Sequence, residues 1–503
     1  MLAAAILGSS IAFIDGSVVN VVLPVLQHEL QASVVEVQWI VESYALMLSA
    51  LILVGGSLGD RLGRRRVFIA GVLLFAAASL ACGLAPGTTS LIAARAAQGV
   101  GAALLVPESL ALISASFPEK ERGKAIGTWS GFTAIAAGAG PVLGGWLVEA
   151  FSWRWIFFIN IPLAFAVVLI AWRYVPESRD DEARGRLDWP GATLATLGLG
   201  GVVFGLIESS TRGFSDPLVV ASFVCGAAAL VAFVFAEWRQ ENPMIPLGLF
   251  RSRAFTGANL LTLGLYAALS AVLFFLPFDL IQVQGYTPTA AGAALLPFVL
   301  TMFVLSRWAG GLVDRYGSKL PLVCGPIIAG AGFAMFALPG ANAGSYWTSF
   351  FPAVMVMSFG MTVSVAPLTT TVMSAVEERR AGTASGINNA VSRTAALLAI
   401  AVFGVVMVDA YNDALVERLR PLRLSAEASE QLLARTTDLL EVKIPASVSG
   451  ETRSEIRQVI NESFVYGFRR VALLSAVLAA ASALAAWFLI PADARRPSRK
   501  RKL

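Results

Sequence analysis

The segment GSLGDRLGRRR at Gly56–Arg66 returns as GGLVDRYGSK at Gly310–Lys319, 254 residues later. Both copies keep a Gly-x-Leu-x-Asp-Arg-x-Gly core with a cationic end: Gly56/Leu58/Asp60/Arg61/Gly63 against Gly310/Leu312/Asp314/Arg315/Gly317. Each copy lies between two apolar stretches long enough to cross a bilayer. A charged hairpin repeated between membrane spans makes the chain a duplicated helical bundle, and such halves commonly rock against each other to move a solute.

Composition agrees. Of 503 residues 56% are hydrophobic and 14% charged, whereas an average soluble domain carries about 25% charge, so lipid is the main solvent here. Cys82, Cys225 and Cys324 all fall in apolar stretches, which leaves no disulfide framework or CxxC metal site. His28 is the one histidine, which removes most histidine-based metal and triad chemistry, so no metal, cofactor or catalytic residue is expected. No GxxxxGK[ST] occurs, so the energy source is an ion or solute gradient, or a partner subunit. The net charge of +5 does not point to nucleic acid, because the cations lie in short loops between spans. Met1 opens an apolar run without a basic leader, so no cleavable signal peptide is expected.

Apolar windows of about 20 residues mark about fourteen spans. Their bounds are 2–26, 37–58, 67–85, 90–113, 124–149, 155–174, 190–208, 217–236, 256–280, 289–308, 319–338, 347–374, 384–408 and 467–490. Loops after even-numbered spans hold the cations: Arg61/Arg64/Arg65/Arg66, Lys120/Arg122, Arg179/Arg184/Arg186, Arg251/Arg253, Arg315/Lys319 and Arg379/Arg380. The tail Arg495–Lys502 is basic too, whereas the opposite loops carry chiefly Arg154 and Arg212. The positive-inside rule then makes the arginine side, and both termini, cytoplasmic. Trp39, Trp153, Trp172, Trp189, Trp238, Trp347 and Trp487 sit near span ends, as an interfacial belt would.

The first hairpin joins spans 2 and 3, the second spans 10 and 11, so two extra spans separate the halves. The expected division is a six-helix bundle over 1–175, two linking helices over 176–255, a second six-helix bundle over 256–490, and a basic tail over 491–503. Segment 409–466 is the one long connection, read as an external loop with weak helical periodicity at Ala426–Leu440, either a small cap or disorder.

Four stretches carry candidate chemistry. In the hairpin, Gly56 and Gly63 allow tight backbone approach, and Asp60 can cap a helix or pair with Arg61 or Arg64. Asp60 and Asp314, each followed by an arginine (Arg61, Arg315), would latch the halves; the other reading is a plain turn with positive-inside arginines, and two matching copies favour the gate. In IDGSVVNVVLP (Ile14–Pro24), Asp15 lies mid-span, where an ionised carboxylate costs at least about 2.5–3.5 kcal/mol. An acid kept there lines a cavity and is a candidate proton carrier, or is a structural aspartate bonded to a neighbouring helix; Asn20 and Pro24 shape the same helix. Span 4, LIAARAAQGVGAALLVPES, holds Arg95, Gln98 and Glu108. Arg95 needs an anion or carbonyls, with Asp15 as candidate partner, or acts as a clamp. Glu108 either meets a cationic substrate or snorkels to water. Span 5 has Gly127, Gly131, Gly138, Gly140, Gly144 and Gly145 with Pro141, a smooth, kinkable face.

Together these stretches resemble the major facilitator superfamily, specifically its fourteen-span drug:proton antiporter family. Gly56–Arg66 is similar to that family's loop between spans 2 and 3, and Leu91/Arg95/Gln98/Gly99/Gly101 to its span-4 motif. Gly127/Gly140/Pro141/Gly144/Gly145 resembles its antiporter motif, with Ala136 where a glycine is usual. Asp15/Ser17/Asn20/Pro24 resembles its span-1 motif, with Ser for the common Thr. WRWIFFINIP (Trp153–Pro162), LDWPG (Leu187–Gly191) and RRAGTASGINNAVSR (Arg379–Arg393) are also similar. The resemblance implies an all-α integral membrane protein of the major facilitator fold, with 14 helices as six plus two plus six. It also implies proton-driven export of drug-like amphipathic molecules from a bacterial inner membrane, with Asp15 and Arg95 in coupling. Glu108 and Asp279 depart from the family pattern and are candidates for cation preference, although Asp279 near an outer helix end also reads as a solvated acid. Glu149 and Glu208 read as solvated. Arg393 in span 13 is a candidate for holding a buried acid or an anionic substrate. The alternatives are a carrier of the same fold for a native metabolite, lipid or siderophore, not necessarily proton-coupled, and a membrane enzyme or receptor. The lack of clustered His, Cys or paired acids argues against an enzyme.

Overall fold

The computed structural model describes residues 1–117, 119–179, 188–240, 243, 245–376, 381–422, 424, 432, 444 and 450–491. Within them the chain is helical throughout. The first group is α1 (Leu2–Leu30), α2 (Val34–Leu62), α3 (Arg64–Gly83), α4 (Thr88–Ser116), α5 (Glu119–Ala150), α6 (Trp155–Phe158) and α7 (Asn160–Tyr174). A pair follows, α8 (Trp189–Arg212) and α9 (Pro217–Arg239). The rest is α10 (Arg253–Phe278), α11 (Pro288–Ala293), α12 (Leu296–Tyr316), α13 (Lys319–Met335), α14 (Tyr346–Ser349), α15 (Phe351–Ser374), α16 (Ala381–Leu419) and α17 (Gly450–Leu489). Thirteen helical segments of the described residues are long and apolar enough to cross a membrane, and Lys319–Met335 is a shorter apolar helix. This is a multi-pass membrane architecture, since only helices or closed barrels satisfy their backbone in lipid.

Local chemistry sets the helix ends. Ser33 and Glu36 cap α2 reciprocally: Ser33 Oγ accepts from Glu36 N at 3.3 Å, and Glu36 Oε2 from Ser33 N at 2.9 Å. Asp188 and Asp216 cap α8 and α9 ahead of prolines in the first turn. Both copies of the hairpin turn on a glycine at positive φ, Gly63 at 107° and Gly317 at 76°, where a Cβ would be strained. After Pro277, α10 ends in a π turn over Asp279–Val283.

The connection after α16 differs from expectation. Residues 409–466 are not a loop from end to end, because α16 runs on to Leu419 and α17 begins at Gly450. Tyr411, Leu415, Ile456 and Ile460 are buried there, so apolar packing carries both helices onward. Most of Ala426–Leu440 lies outside the described residues, as do 377–380, the 180–187 linker and the basic tail. The tryptophan belt is also corrected in part. Trp153 is only 4% exposed and packs edge-on against Phe157, while Trp39 tilts against Phe204 of α8.

In the first half, α2 and α3 pack on α4, and α1 on α5; in the second, α13 packs on α15 and α17, and α10 on α16 and α17. Helix α8 lies across α2 and α16, touching both halves through Val203 and Ile207. Helix α9 packs on α8, where Gly201 and Gly226 bring the backbones together. We call the side bearing Gly56–Arg66 the hairpin face. On the opposite face α5 meets α11: a Cβ on Gly145 would strike the backbone of Pro288 and Thr289, and one on Gly292 the carbonyl of Pro141. Glu149 Oε1 accepts from Thr289 N at 2.8 Å and closes this seam.

Candidate functional site

A cavity of about 220 Å³ lies between the halves. Four helices each turn one face to it, at helical spacing: Gly16, Val19 and Asn20 of α1; Val41, Tyr44 and Leu48 of α2; Leu269 and Leu273 of α10; Arg393, Ala396 and Ile400 of α16. Arg95 reaches the wall from α4 behind Tyr44.

Asp15 and Arg95 form an ion pair, Nη1 to Oδ2 at 2.5 Å, with side chains 0% and 1% exposed. Both carboxylate oxygens of Asp15 and the Nε and Nη1 groups of Arg95 are hydrogen-bonded. Arg95 Nη1 also donates to Gln98 Oε1 at 2.6 Å, and Nε to the Ile40 carbonyl at 3.1 Å. The guanidinium lies over the Tyr44 ring, 4.3 Å from its centroid. Asp15 Oδ1 accepts from Gln98 Nε2 at 2.8 Å and from Asn160 Nδ2 at 3.1 Å. Both amides also donate to Ser79 Oγ, which in turn donates a hydrogen bond to the Phe75 carbonyl at 2.8 Å. Opposite charges in a dry site, with hydrogen bonds on both partners, meet the conditions under which burial of ions is tolerated.

The sequence-derived candidates distribute unevenly. Asp15 and Arg95 meet. Gln98 belongs to their network rather than to the cavity wall. Asn20 and Arg393 line the cavity. Asp279 does not line it and is not solvated: it is 2% exposed in the π turn after α10, where Gln284 Nε2 stands 3.4 Å from Oδ1. Glu108 neither lines the cavity nor snorkels; it is buried against Gly59, whose missing side chain makes room for the carboxyl. The reading of Glu208 as solvated is likewise revised, since it accepts from Trp39 Nε1 at 3.4 Å and pairs with Arg212 at 3.0 Å.

The hairpin is tied to itself and to the segment just after α7. Asp60 Oδ1 accepts from Arg64 Nε at 3.0 Å and Nη2 at 2.7 Å. Arg64 N donates to the Ser178 carbonyl at 2.8 Å, and Arg65 N to Glu177 Oε1 at 3.0 Å. Asp60 is therefore spent on Arg64, not on the other half. In the second copy Arg315 is exposed beside Tyr316, and the Asp314 side chain lies outside the described residues. On α5, Gly140 and Gly144 seat α1 at Ser17 and Val18, and Pro141 with Gly145 meets α11.

Several residues of the site escaped the sequence reading. Ser79 and Asn160 are ordinary polar residues in apolar runs, and only proximity to Asp15 marks them. Gly292 became meaningful once α11 was seen against α5. Glu42 of α2 was also passed over; it is fully buried, on the stripe of Val35, Trp39 and Leu46 that faces α8 and α16, and neither carboxylate oxygen has a hydrogen-bond partner among the described residues.

Residues 5–400 match the Major Facilitator Superfamily. The chain belongs to the Major Facilitator Superfamily. It is 33% identical over 496 residues to the multidrug resistance protein Stp of Mycobacterium tuberculosis, covering 97% of this chain and 91% of that one. It is 29% identical to the tetracenomycin C resistance and export protein of Streptomyces glaucescens, over 98% and 91% of the two chains. Among solved structures, a bacterial homologue of the human lysosomal transporter Spinster, inward-facing and occupied, superposes with a TM-score of 0.67 at 16% identity, over 97% and 95% of the chains. A D-xylose–proton symporter superposes at 0.61 with 13% identity, over 98% of each, which speaks to fold alone. This major facilitator is a small-molecule transporter of the membrane and not an enzyme.

Proposed function

We propose that this transporter exports drug-like amphipathic molecules by proton antiport, with Asp15 as the proton-carrying group and Arg95 as its counter-ion. The observation that supports it most is the fully buried Asp15–Arg95 pair, whose arginine reaches the wall of a cavity between two helical halves. The resistance and export relatives favour outward drug transport. In this reading the chain makes fourteen spans as six plus two plus six: 1–175 and 256–490 are the moving bundles, and 176–255 the linking pair. The arginine-rich hairpin face is cytoplasmic, with both termini, in a bacterial inner membrane. Asp60, Arg61, Arg64 and Gly63 then brace the cytoplasmic gate, with Asp314 and Arg315 at the matching turn, while the glycines of α5 bear on α1 and α11 as the bundles rock.

One proton entering gains about 2.3 kcal/mol per 100 mV and about 1.4 kcal/mol per pH unit, enough to hold a tenfold or larger cargo gradient. The test is transport in proteoliposomes under an imposed pH gradient, screened with one cationic, one neutral and one anionic compound. Cargo-linked proton flux is expected in the wild type and its loss in Asp15→Asn. Full gradient-driven export by Asp15→Asn would remove Asp15 from the mechanism, and cargo movement without proton flux would remove the antiport.

A further inference from the structure

We propose that Arg393 forms an anion-binding subsite of the central cavity, so that the cargo carries an acidic group, a carboxylate, sulfonate or phenolate, on an apolar frame. The proposal rests on the transport reading above. Its starting point is the charge of the cavity wall. Among the lining residues only Arg95 and Arg393 are charged, and no carboxylate lines it. Arg95 is neutralised by Asp15. Arg393 forms no ion pair or hydrogen bond among the described residues, and its Nε is buried with no partner. The wall therefore keeps one uncompensated positive charge.

An unpaired guanidinium at membrane depth is costly, and such residues normally pair with an acid or with carbonyls, or serve a pathway. Asp15, the acid beside the cavity wall, is already committed to Arg95. Ser49 Oγ lines the same cavity and is buried without a partner, so a hydroxyl donor also stands unspent. Arg95 Nη2 donates to nothing among the described residues. Guanidinium forks match planar oxyanions, and charge-assisted bonds of this kind are the strong ones. Leu48, Leu269, Leu273 and Phe274 supply the apolar remainder. Low-dielectric walls sharpen the selection: a cation entering here meets repulsion that bulk water would screen.

Two consequences follow for coupling. Arg393 is on α16 and Asp15 on α1, so anion and proton occupy separate groups on different halves. Exchange then runs through the motion of the bundles rather than through competition for one carboxylate. An anion leaving an inside-negative cell also moves with the membrane potential, so exchange against a proton is electrogenic.

Fluorescein and rhodamine share a xanthene frame and differ in charge, and their binding to the purified full-length protein tests the subsite. The wild type is expected to bind fluorescein about tenfold more tightly than rhodamine. Arg393→Gln is expected to lose that factor for fluorescein while rhodamine binding holds or tightens, which also shows that the variant is folded. Arg393→Lys is expected to restore most of the preference. Equal loss of both dyes in a protein of wild-type thermal midpoint, unchanged fluorescein affinity in Arg393→Gln, wild-type preference for rhodamine, or binding of neither dye would each overturn the subsite. Proton flux with rhodamine alone would leave the transport reading standing and overturn the subsite. Arg393-dependent fluorescein binding with no flux of either dye would do the reverse.

Discussion

Exchanging Asp15 and Arg95 singly and together reads the energetics of the buried pair. In Asp15→Asn, Arg95 loses its counter-ion but keeps Gln98 Oε1 at 2.6 Å, the Ile40 carbonyl at 3.1 Å and the Tyr44 ring. In Arg95→Gln, Asp15 keeps the amides of Gln98 and Asn160 at 2.8 and 3.1 Å. Orphaning one member of a buried pair costs about 3–5 kcal/mol, and the surviving neutral partners put each single change near the lower end, about 3 kcal/mol. The double variant leaves no buried charge, only amides able to bond each other, and is expected to lose about 3 kcal/mol in all. The coupling energy is thus about 3 kcal/mol, at the top of the usual range for contacting residues. Reversible unfolding in mixed micelles measures all four proteins. Costs that simply add, with coupling below about 0.5 kcal/mol, would refute the view that the two charges stabilise as one unit.

Gly145→Val places a branched side chain against the Pro288–Thr289 backbone, so the α5–α11 seam cannot close; proton-driven flux should fall at least about tenfold, and normal flux would contradict a moving seam. Gly63→Ala puts a Cβ at φ 107° against the Glu177 carboxyl and should cost about 1–3 kcal/mol of stability, read as a lower thermal midpoint in detergent. Glu42→Leu replaces a buried carboxyl that has no partner among the described residues and should stabilise by about 1–3 kcal/mol; a lowered midpoint would reveal a partner that the packing of α2 on α8 and α16 conceals.

The expectations that succeeded rest on strong local signals. Apolar length and a repeated hairpin are read directly, and the pairing of Asp15 with Arg95 was legible because ions are rare at that depth and seek a partner. Where expectation failed, the deciding quantity was three-dimensional. Glu208 reads as a solvated acid, and Asp279 and Glu108 as either substrate-facing or solvated, yet helix rotation and neighbouring packing bury or pair all three. Trp153 looks interfacial but faces Phe157. The 409–466 connection reads as a loop because it is polar, but one buried stripe is enough to continue a helix through polar sequence.

From sequence alone follow the all-helical membrane class, the repeated hairpin and two candidate ions. These depend on composition and period, which survive without knowledge of neighbours. Only the tertiary structure decided that Ser79, Gln98 and Asn160 complete the Asp15–Arg95 network, that Asp60 serves its own hairpin, and that Arg393 faces the cavity with no partner among the described residues. Those facts depend on which faces of α1, α2, α10 and α16 meet, and helix-to-helix rotation is written nowhere in a linear spacing.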